Sequence, residues 1–148
     1  MILHIGSTDP IMNGFVNFLN ENFEPQKHTF LLSPSPNHTL PNARNTYSLK
    51  TGWRRIFNAI SITSRLQRSE KVILHGLFNP RLVLLLALQP WVLKKCYWVI
   101  WGADLYTYQL GKRDWKWHIK ELFRRPVIKR MGNLVTYIEG DVFRGDRR

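Results

Sequence analysis

The sequence has one cysteine and no long uninterrupted apolar segment. The single thiol, Cys96, excludes an internal disulfide, and without a partner motif we expect a packed, inert thiol. The longest apolar run, residues 82–93, is interrupted by Gln89 and Pro90 and is shorter than the roughly 20 residues of a membrane-spanning helix. The amino-terminal MILHIGSTDP lacks the basic leader and apolar core of a secretory signal, so we expect the protein to remain in the cytoplasm.

Motifs for several familiar chemistries are also missing. The chain contains no GxGxxG, no GxxxxGKS/T, no HExxH, no paired CxxC and no GxSxG. Dinucleotide-binding, P-loop, zinc and serine-hydrolase chemistries therefore lack the residues that they normally use. The sequence predicts no metal site and no cofactor.

Acidic residues are scarce, with 10 Asp and Glu against 22 Lys and Arg and a formal net charge of +12. The excess is uneven, because residues 71–148 carry fifteen basic and six acidic residues whereas residues 1–70 carry seven and four. We expect the basic half to face an anionic partner. Nucleic acid, anionic lipid head groups and phosphorylated substrates all fit that description.

What the chain does contain is an alternation of short strands and helices. The predicted strands cover residues 2–5, 28–32, 71–74, 97–101 and 134–138, with a short extended piece near Tyr47, and the predicted helices cover residues 11–20, 51–68, 80–89 and 114–130. The strand YWVIW has no polar face, which is typical of a parallel strand covered on both sides by helices. The pattern predicts one α/β domain with a mostly parallel sheet and helices on both faces.

One loop, and one helix together with its start, have distinctive compositions. Residues 33–45 are rich in Pro, Ser and Asn and are predicted to form a surface loop. Asn79 and Pro80 supply a cap and a first helical position. The helix that follows is apolar nearly all round from Leu82 to Leu88, so we expect it to be buried and to end at Pro90.

Three predicted strands end in a polar residue beside a glycine: His75 with Gly76, Gly102 with Asp104, and Gly140 with Asp141. In a parallel sheet, ligands bind outside the carboxyl ends of the strands, and these three ends lie on one edge. Glycine admits close backbone approach, while imidazole and carboxylate groups offer hydrogen bonds or a general base. This arrangement suits a sugar or phosphate site.

His75 and Asp104 are the two candidates for a catalytic base. Asp104 follows a rigid strand, and His75 has the near-neutral reference pKa that suits a base. The alternatives are that His75 only bonds a backbone carbonyl and that Asp104 only holds the loop to Tyr106.

The end of the first strand is a further candidate for substrate binding, through Gly6, Ser7 and Asp9. Backbone groups at Gly6 and Ser7 are positioned to contact a phosphate. The alternative is an ordinary turn between a strand and a helix.

The basic stretch GKRDWKWHIKELFRRPVIKR is predicted to form an amphipathic helix, bent or ended by Pro126. Its apolar side carries Trp115, Ile119, Leu122 and Phe123, and an adjacent stripe carries Lys116, Lys120 and Arg124. One interpretation is a helix that covers the sheet with a solvated charged face. Another is attachment to an anionic membrane surface, and nucleic-acid binding is the least supported because no matching fold pattern accompanies the charge. The candidate membrane or diphosphate contacts are Trp115, Lys116, Trp117, Lys120, Arg124 and Arg125.

Three segments together carry a resemblance to a known family: HGLFNPRLVLLLAL (residues 75–88), YWVIWGADLY (97–106) and RRPVIKRMGNLVTYIEGD (124–141). They are similar to the bacterial TDP-N-acetylfucosamine:lipid II N-acetylfucosaminyltransferases of enterobacterial common antigen synthesis. The resemblance implies a GT-B fold of two Rossmann-like domains, no required metal, and a peripheral position on the cytoplasmic face of the inner membrane. It also implies a TDP-sugar donor and an undecaprenyl-diphosphate-linked acceptor.

The motif positions that match the family include the strand-end residues already described. The substrate-binding candidates among them are Gly76, Asn79, Gly102, Tyr106, Gly140 and Asp141. The chain ends seven residues after Asp141, so we expect it to be the acceptor-side, amino-terminal half, with the second GT-B domain missing and activity of this half alone in doubt. The rival hypothesis is a noncatalytic membrane-associated binding domain that keeps the fold.

Overall fold

The computed structural model describes residues 1–49, 55–77, 79–100 and 115–135, and side chains within them except those of 55–58, 115–117 and 120. Its strands are β1 (Ile2–Ser7), β2 (His28–Ser33), β3 (Thr46–Ser48), β4 (Lys71–His75), β5 (Cys96–Val99) and β6 (Asn133–Val135). Its helices are α1 (Pro10–Asn22), α2 (Arg55–Arg68), α3 (Pro80–Ala87) and α4 (Trp115–Arg130), with 3₁₀ helices at Pro25–Lys27 and Pro90–Lys95. The predicted order of strands and helices is confirmed.

The six strands form one parallel sheet in the order β3-β2-β1-β4-β5-β6. The register pairs Ile2 with His28 and runs in step to Ser7 with Ser33. This strand order is that of the doubly wound Rossmann sheet, which confirms the predicted α/β, Rossmann-like fold class. The extended piece near Tyr47 is confirmed as the edge strand β3, which pairs in parallel with β2.

The chain divides into two compact units, Met1–Ile73 and Leu74–Arg148, with the division inside β4. In the first unit, one core cluster joins α1 to β2. Its buried members are Met12, Val16, Leu19, Phe30 and Leu32. The helical members recur at intervals of four and three residues and the strand members at an interval of two, so each element presents one apolar face.

The start and end of α1 follow from local chemistry. The Asp9 carboxylate accepts a hydrogen bond from the Met12 amide at 2.7 Å, and Pro10 takes the first helical position. Such a cap contributes about 1 kcal/mol. The helix ends where the Phe23 amide donates to the Leu19 carbonyl at 3.0 Å and the chain becomes extended.

In the second unit, α3, the 3₁₀ helix Pro90–Lys95 and α4 pack against one another. Cys96, Trp98 and Val99 of β5 are buried, as predicted for a strand without a polar face. The Cys96 thiol donates to the Val92 carbonyl at 3.3 Å, and burial raises the pKa of this thiol to about 12. The prediction of a packed thiol is therefore confirmed.

Two sequence-based expectations about helices are corrected. The segment Leu82 to Leu88 is not buried all round, because Leu84 and Leu88 are exposed while Leu82 and Leu86 are buried. The helix ends at Ala87, and Pro90 instead begins a 3₁₀ helix. A segment that is apolar on every side gives no sequence signal for the face that packs.

Pro126 does not end α4, which continues to Arg130. Proline removes the hydrogen bond that an amide at this position would donate to the Leu122 carbonyl. Leu122 lies on the exposed side of the helix, where water can bind that carbonyl, so the loss is tolerated.

Candidate functional site

The connection from β1 to α1 is fixed by a buried threonine. The Thr8 amide donates to the Ser33 carbonyl at 2.9 Å, and the Thr8 hydroxyl accepts from the Ser35 amide at 2.6 Å. Thr8 therefore ties the carboxyl end of β1 to the start of the Ser33–Asn45 loop.

Gly6 and Ser7 belong to β1 itself and pair with Leu32 and Ser33 of β2. Asp9 uses its carboxylate as the helix cap, and Pro10 has no amide proton to offer a ligand. A carboxylate at the helix amino terminus also opposes a bound phosphate electrostatically. The geometry agrees with the ordinary strand-to-helix turn, and substrate contacts by Gly6, Ser7 and Asp9 stay predictions.

The segment that follows β4 is a tight strand-to-helix connection. His75 is the half-buried last residue of the strand, and Gly76 is buried with φ of 92°. This backbone conformation is strained for every residue with a side chain, so glycine is required there. The Asn79 side chain then accepts from the Arg81 amide at 3.0 Å, and Pro80 is the first helical residue. The predicted cap is confirmed.

The three strands that precede the predicted site residues are neighbours in the order β4-β5-β6. Tyr97 pairs with Asn133 and Val99 with Val135, and the Ile100 amide donates to the Val135 carbonyl at 2.9 Å. The strands before Gly102 and before Gly140 therefore run side by side up to this point. Gly102, Asp104, Tyr106, Gly140 and Asp141 themselves lie outside the described residues, so their shared edge with His75 stays a prediction.

Arg124 does not lie on an exposed stripe as the sequence predicted. It is buried together with Glu121, and the Arg124 Nη1 and Glu121 Oε1 atoms are 3.4 Å apart. The Arg124 guanidinium also lies 5.5 Å from the centre of the Trp98 ring. A buried arginine requires such compensation for its lost hydration. The predicted exposed stripe is therefore wrong at Arg124, which forms an internal ion pair, and its assignment as a membrane or diphosphate contact stays a prediction.

Arg125 is the exposed member of the same cluster. Its Nε atom is 3.7 Å from Glu121 Oε2, while its side chain remains 69% exposed. Glu121 is not among the residues predicted for the site, although its spacing of three and four residues from two arginines is a signal for helical ion pairs. Trp115, Lys116, Trp117 and Lys120 lie in the first turns of α4, but their side chains are outside the description.

A family model described as 4-alpha-L-fucosyltransferase, glycosyl transferase group 56, matches residues 2–146. The chain belongs to this family. No solved structure matches it. The protein is a glycosyltransferase, and this activity requires that it bind a sugar donor and an acceptor.

This glycosyltransferase also carries a histidine pair in its first unit that the sequence did not reveal. His4 Nε2 lies 3.0 Å from His28 Nδ1, and the buried His4 ring stacks on Phe30 with centroids 4.6 Å apart. Burial, followed by the charges of Lys27 and the amino terminus, lowers the pKa of His28. The pair joins β1 to β2.

The described residues contain neither a candidate metal site nor a candidate membrane-spanning helix. Within the described ranges, no group of three or more His, Cys, Asp or Glu side chains is arranged to hold a metal ion. Among the helices described, none has the length and apolar content needed to cross a membrane.

Proposed function

We propose that the enzyme transfers the N-acetylated amino-deoxy sugar Fuc4NAc from a TDP-sugar to an undecaprenyl-diphosphate-linked saccharide, in enterobacterial common antigen synthesis. The observation that carries the proposal is the family match over residues 2–146, which includes all three sequence segments that resemble the lipid II transferases. In a GT-B arrangement, this Rossmann-like chain would hold the acceptor, and a second such domain would hold most of the sugar nucleotide.

His75 supports this function by its position at the carboxyl end of a parallel strand, directly before a turn that requires Gly76. An imidazole at such an end can take the proton of an acceptor hydroxyl as that hydroxyl attacks the sugar carbon. Asp104 is the alternative base, and it follows a strand that is paired as far as Ile100.

We further propose that the enzyme acts as a peripheral protein at the cytoplasmic face of the bacterial inner membrane. A lipid-linked acceptor places the reacting hydroxyl at a head-group surface. The support from the chain itself is the excess of basic residues after residue 71, since inner leaflets carry anionic lipids.

The decisive experiment is sugar transfer from the TDP-sugar to the lipid-linked acceptor, measured in a complete two-domain enzyme for His75→Ala and Asp104→Asn. Loss of a general base lowers the transfer rate by roughly a hundredfold or more. The matched control is His38→Ala, the same substitution at an exposed loop histidine, which should keep the normal rate. The thermal unfolding midpoint of each variant distinguishes a lost base from a lost fold.

Two outcomes would contradict the proposal. Near-normal rates in both folded variants would eliminate these residues as catalysts. A protein that binds the acceptor but transfers no sugar, even when supplied with a complementing second domain, would instead be the noncatalytic binding domain.

A further inference from the structure

The outer face of α4 is apolar, although this helix is the most basic in the chain. Ile119, Leu122, Phe123 and Pro126 recur at intervals of three and four residues, and all four are exposed. Such spacing places them in one stripe along the helix. The opposite side of α4 packs inward through its buried residues Glu121, Arg124 and Val127, and the buried Met131 directly follows the helix.

The elements that pack against α4 expose apolar side chains as well. Leu84 and Leu88 lie one turn apart at the end of α3, and Trp91 follows in the 3₁₀ helix Pro90–Lys95. Leu88 is 67% exposed, close to the 68% of Leu122 on α4. Large apolar side chains exposed on elements that pack together are a feature of interaction surfaces. We call the solvent-facing sides of α3, this 3₁₀ helix and α4 the outer helical surface.

Among the described residues, the exposed charge around the outer helical surface is of one sign. Within the described part of the chain after Leu74, Glu121 is the only carboxylate side chain, and it is buried and paired. The exposed basic side chains of this part are Arg81, Lys94, Arg125, Lys129 and Arg130. This excess of positive charge favours an anionic partner.

Three kinds of partner differ in how they would bind the exposed apolar and basic side chains of the outer helical surface. A second copy would bring a cationic surface against another cationic surface, which is repulsive. A nucleic acid would pair with the cations but would leave the large apolar side chains against a polyanion. An anionic bilayer accepts both, because apolar side chains enter the boundary between head groups and acyl chains while Lys and Arg bind the lipid phosphates.

We propose that the outer helical surface docks on an anionic lipid bilayer, with Leu88, Trp91 and Leu122 among the side chains that enter it. The inference rests on the proposed function, since a lipid-linked acceptor is located at a bilayer and the enzyme must reach it there. The inference adds to the proposed function by naming the part of the molecule that contacts the bilayer. It also extends the contact beyond the basic helix to α3 and the 3₁₀ helix.

The test is co-sedimentation of the full chain with vesicles of phosphatidylglycerol and phosphatidylcholine, with no sugar present. The double variant Leu88→Gln and Leu122→Gln should weaken binding at least tenfold, because both side chains are mostly exposed and each loses its favourable transfer into lipid. The matched control is Ile11→Gln with Phe18→Gln on α1, side chains that are 61% and 53% exposed in the first unit. This control should bind as the wild type does.

The cationic part of the contact has its own variants. Arg125→Gln with Lys129→Gln should weaken binding severalfold and reduce its dependence on salt, because fewer lipid phosphates are paired. Circular dichroism of each variant, and of the single Leu88→Gln and Leu122→Gln proteins, verifies that lost binding is not lost folding.

Several results would overturn the assignment. These are equal binding to pure phosphatidylcholine vesicles, wild-type binding by the folded Leu88/Leu122 variant, or displacement of the vesicles by an oligonucleotide at matched salt. Sugar transfer to a short-chain soluble acceptor without vesicle binding would contradict this inference and the proposed membrane position, and would leave the proposed sugar transfer intact. Vesicle binding through this surface without any sugar transfer would do the reverse.

Discussion

Two glycines of this glycosyltransferase differ in their backbone conformation and surroundings, which the sequence does not show. Gly76 is one of nine glycines in the sequence, and it has a positive φ of 92°. Gly14 lies in the exposed part of α1, where an added Cβ would meet no atom within 4 Å. The same substitution should therefore have opposite effects at the two positions.

We expect Gly76→Ala to lower the free energy of unfolding by about 1–2 kcal/mol, because a left-handed conformation costs this much for an L-residue. Gly14→Ala should raise it by about 0.5–1 kcal/mol, because alanine is the better helix former. Urea unfolding of both variants measures the difference. Equal effects of one sign would contradict the structural account of the turn after β4.

The histidine pair gives the second prediction at this scale. The pKa of His28 is lowered in the folded state, by burial first and then by Lys27 and the amino-terminal charge. The His4 and His28 rings share a hydrogen bond, which protonation of both rings would remove. Lys27 is itself paired with Glu24. The unfolded chain then binds the proton more readily than the folded chain.

Stability should accordingly be full above the ordinary histidine pKa of 6.5 and should fall as the pH is lowered through the reduced pKa of folded His28. Urea unfolding midpoints at pH 7.5 and at about pH 5.5 measure this slope. His28→Gln should flatten it, while the exposed His38→Gln should not. An unchanged slope in His28→Gln would exclude the pair as its source.

At the scale of a single element, α4 shows that burial and amphipathicity are separate properties. The buried side contains an ion pair, and the exposed side contains leucine, isoleucine and phenylalanine. Removing one partner of a buried pair leaves the other charge poorly compensated, which costs far more than the loss of a surface pair.

We predict that Glu121→Ala lowers the free energy of unfolding by about 3 kcal/mol, since the carboxylate 3.4 Å from buried Arg124 is lost. Arg125→Ala, which removes the exposed partner of the same carboxylate, should cost less than about 1 kcal/mol. Thermal or urea unfolding compares the two variants. Similar losses in both would show that the Glu121–Arg124 pair is not the stabilising contact.

At the scale of the whole molecule, the strand order brings together segments that are distant in the sequence. β4 and β5 are neighbours in the sheet across the helical segment Pro80–Lys95, and β6 pairs with β5 although α4 lies between them in the chain. This arrangement explains why the family motifs are scattered from residue 75 to residue 141. The first of them begins at His75, the last residue of β4, and the second runs along β5, the neighbour of β4 in the sheet. Parallel sheets bind ligands at the carboxyl ends of such strands.

Local signals in the sequence are sufficient to predict which segments become strands and helices. Alternating apolar residues, the Asn79-Pro80 start and the Ser33–Asn45 loop composition are local signals, and local signals need no distant partner. The motif that contains His75 and Gly76 likewise predicts their position at the end of a strand.

Which face of a helix is buried depends on tertiary packing and does not follow from local sequence. The segment Leu82 to Leu88 has apolar residues on every side. The elements that pack against α3 therefore determine that Leu86 is buried and Leu88 is exposed. Arg124 is buried because Glu121 and Trp98 compensate its charge, and Trp98 belongs to a different element. Periodicity fixes the angles between side chains on one helix, whereas the orientation of that helix is set by its neighbours.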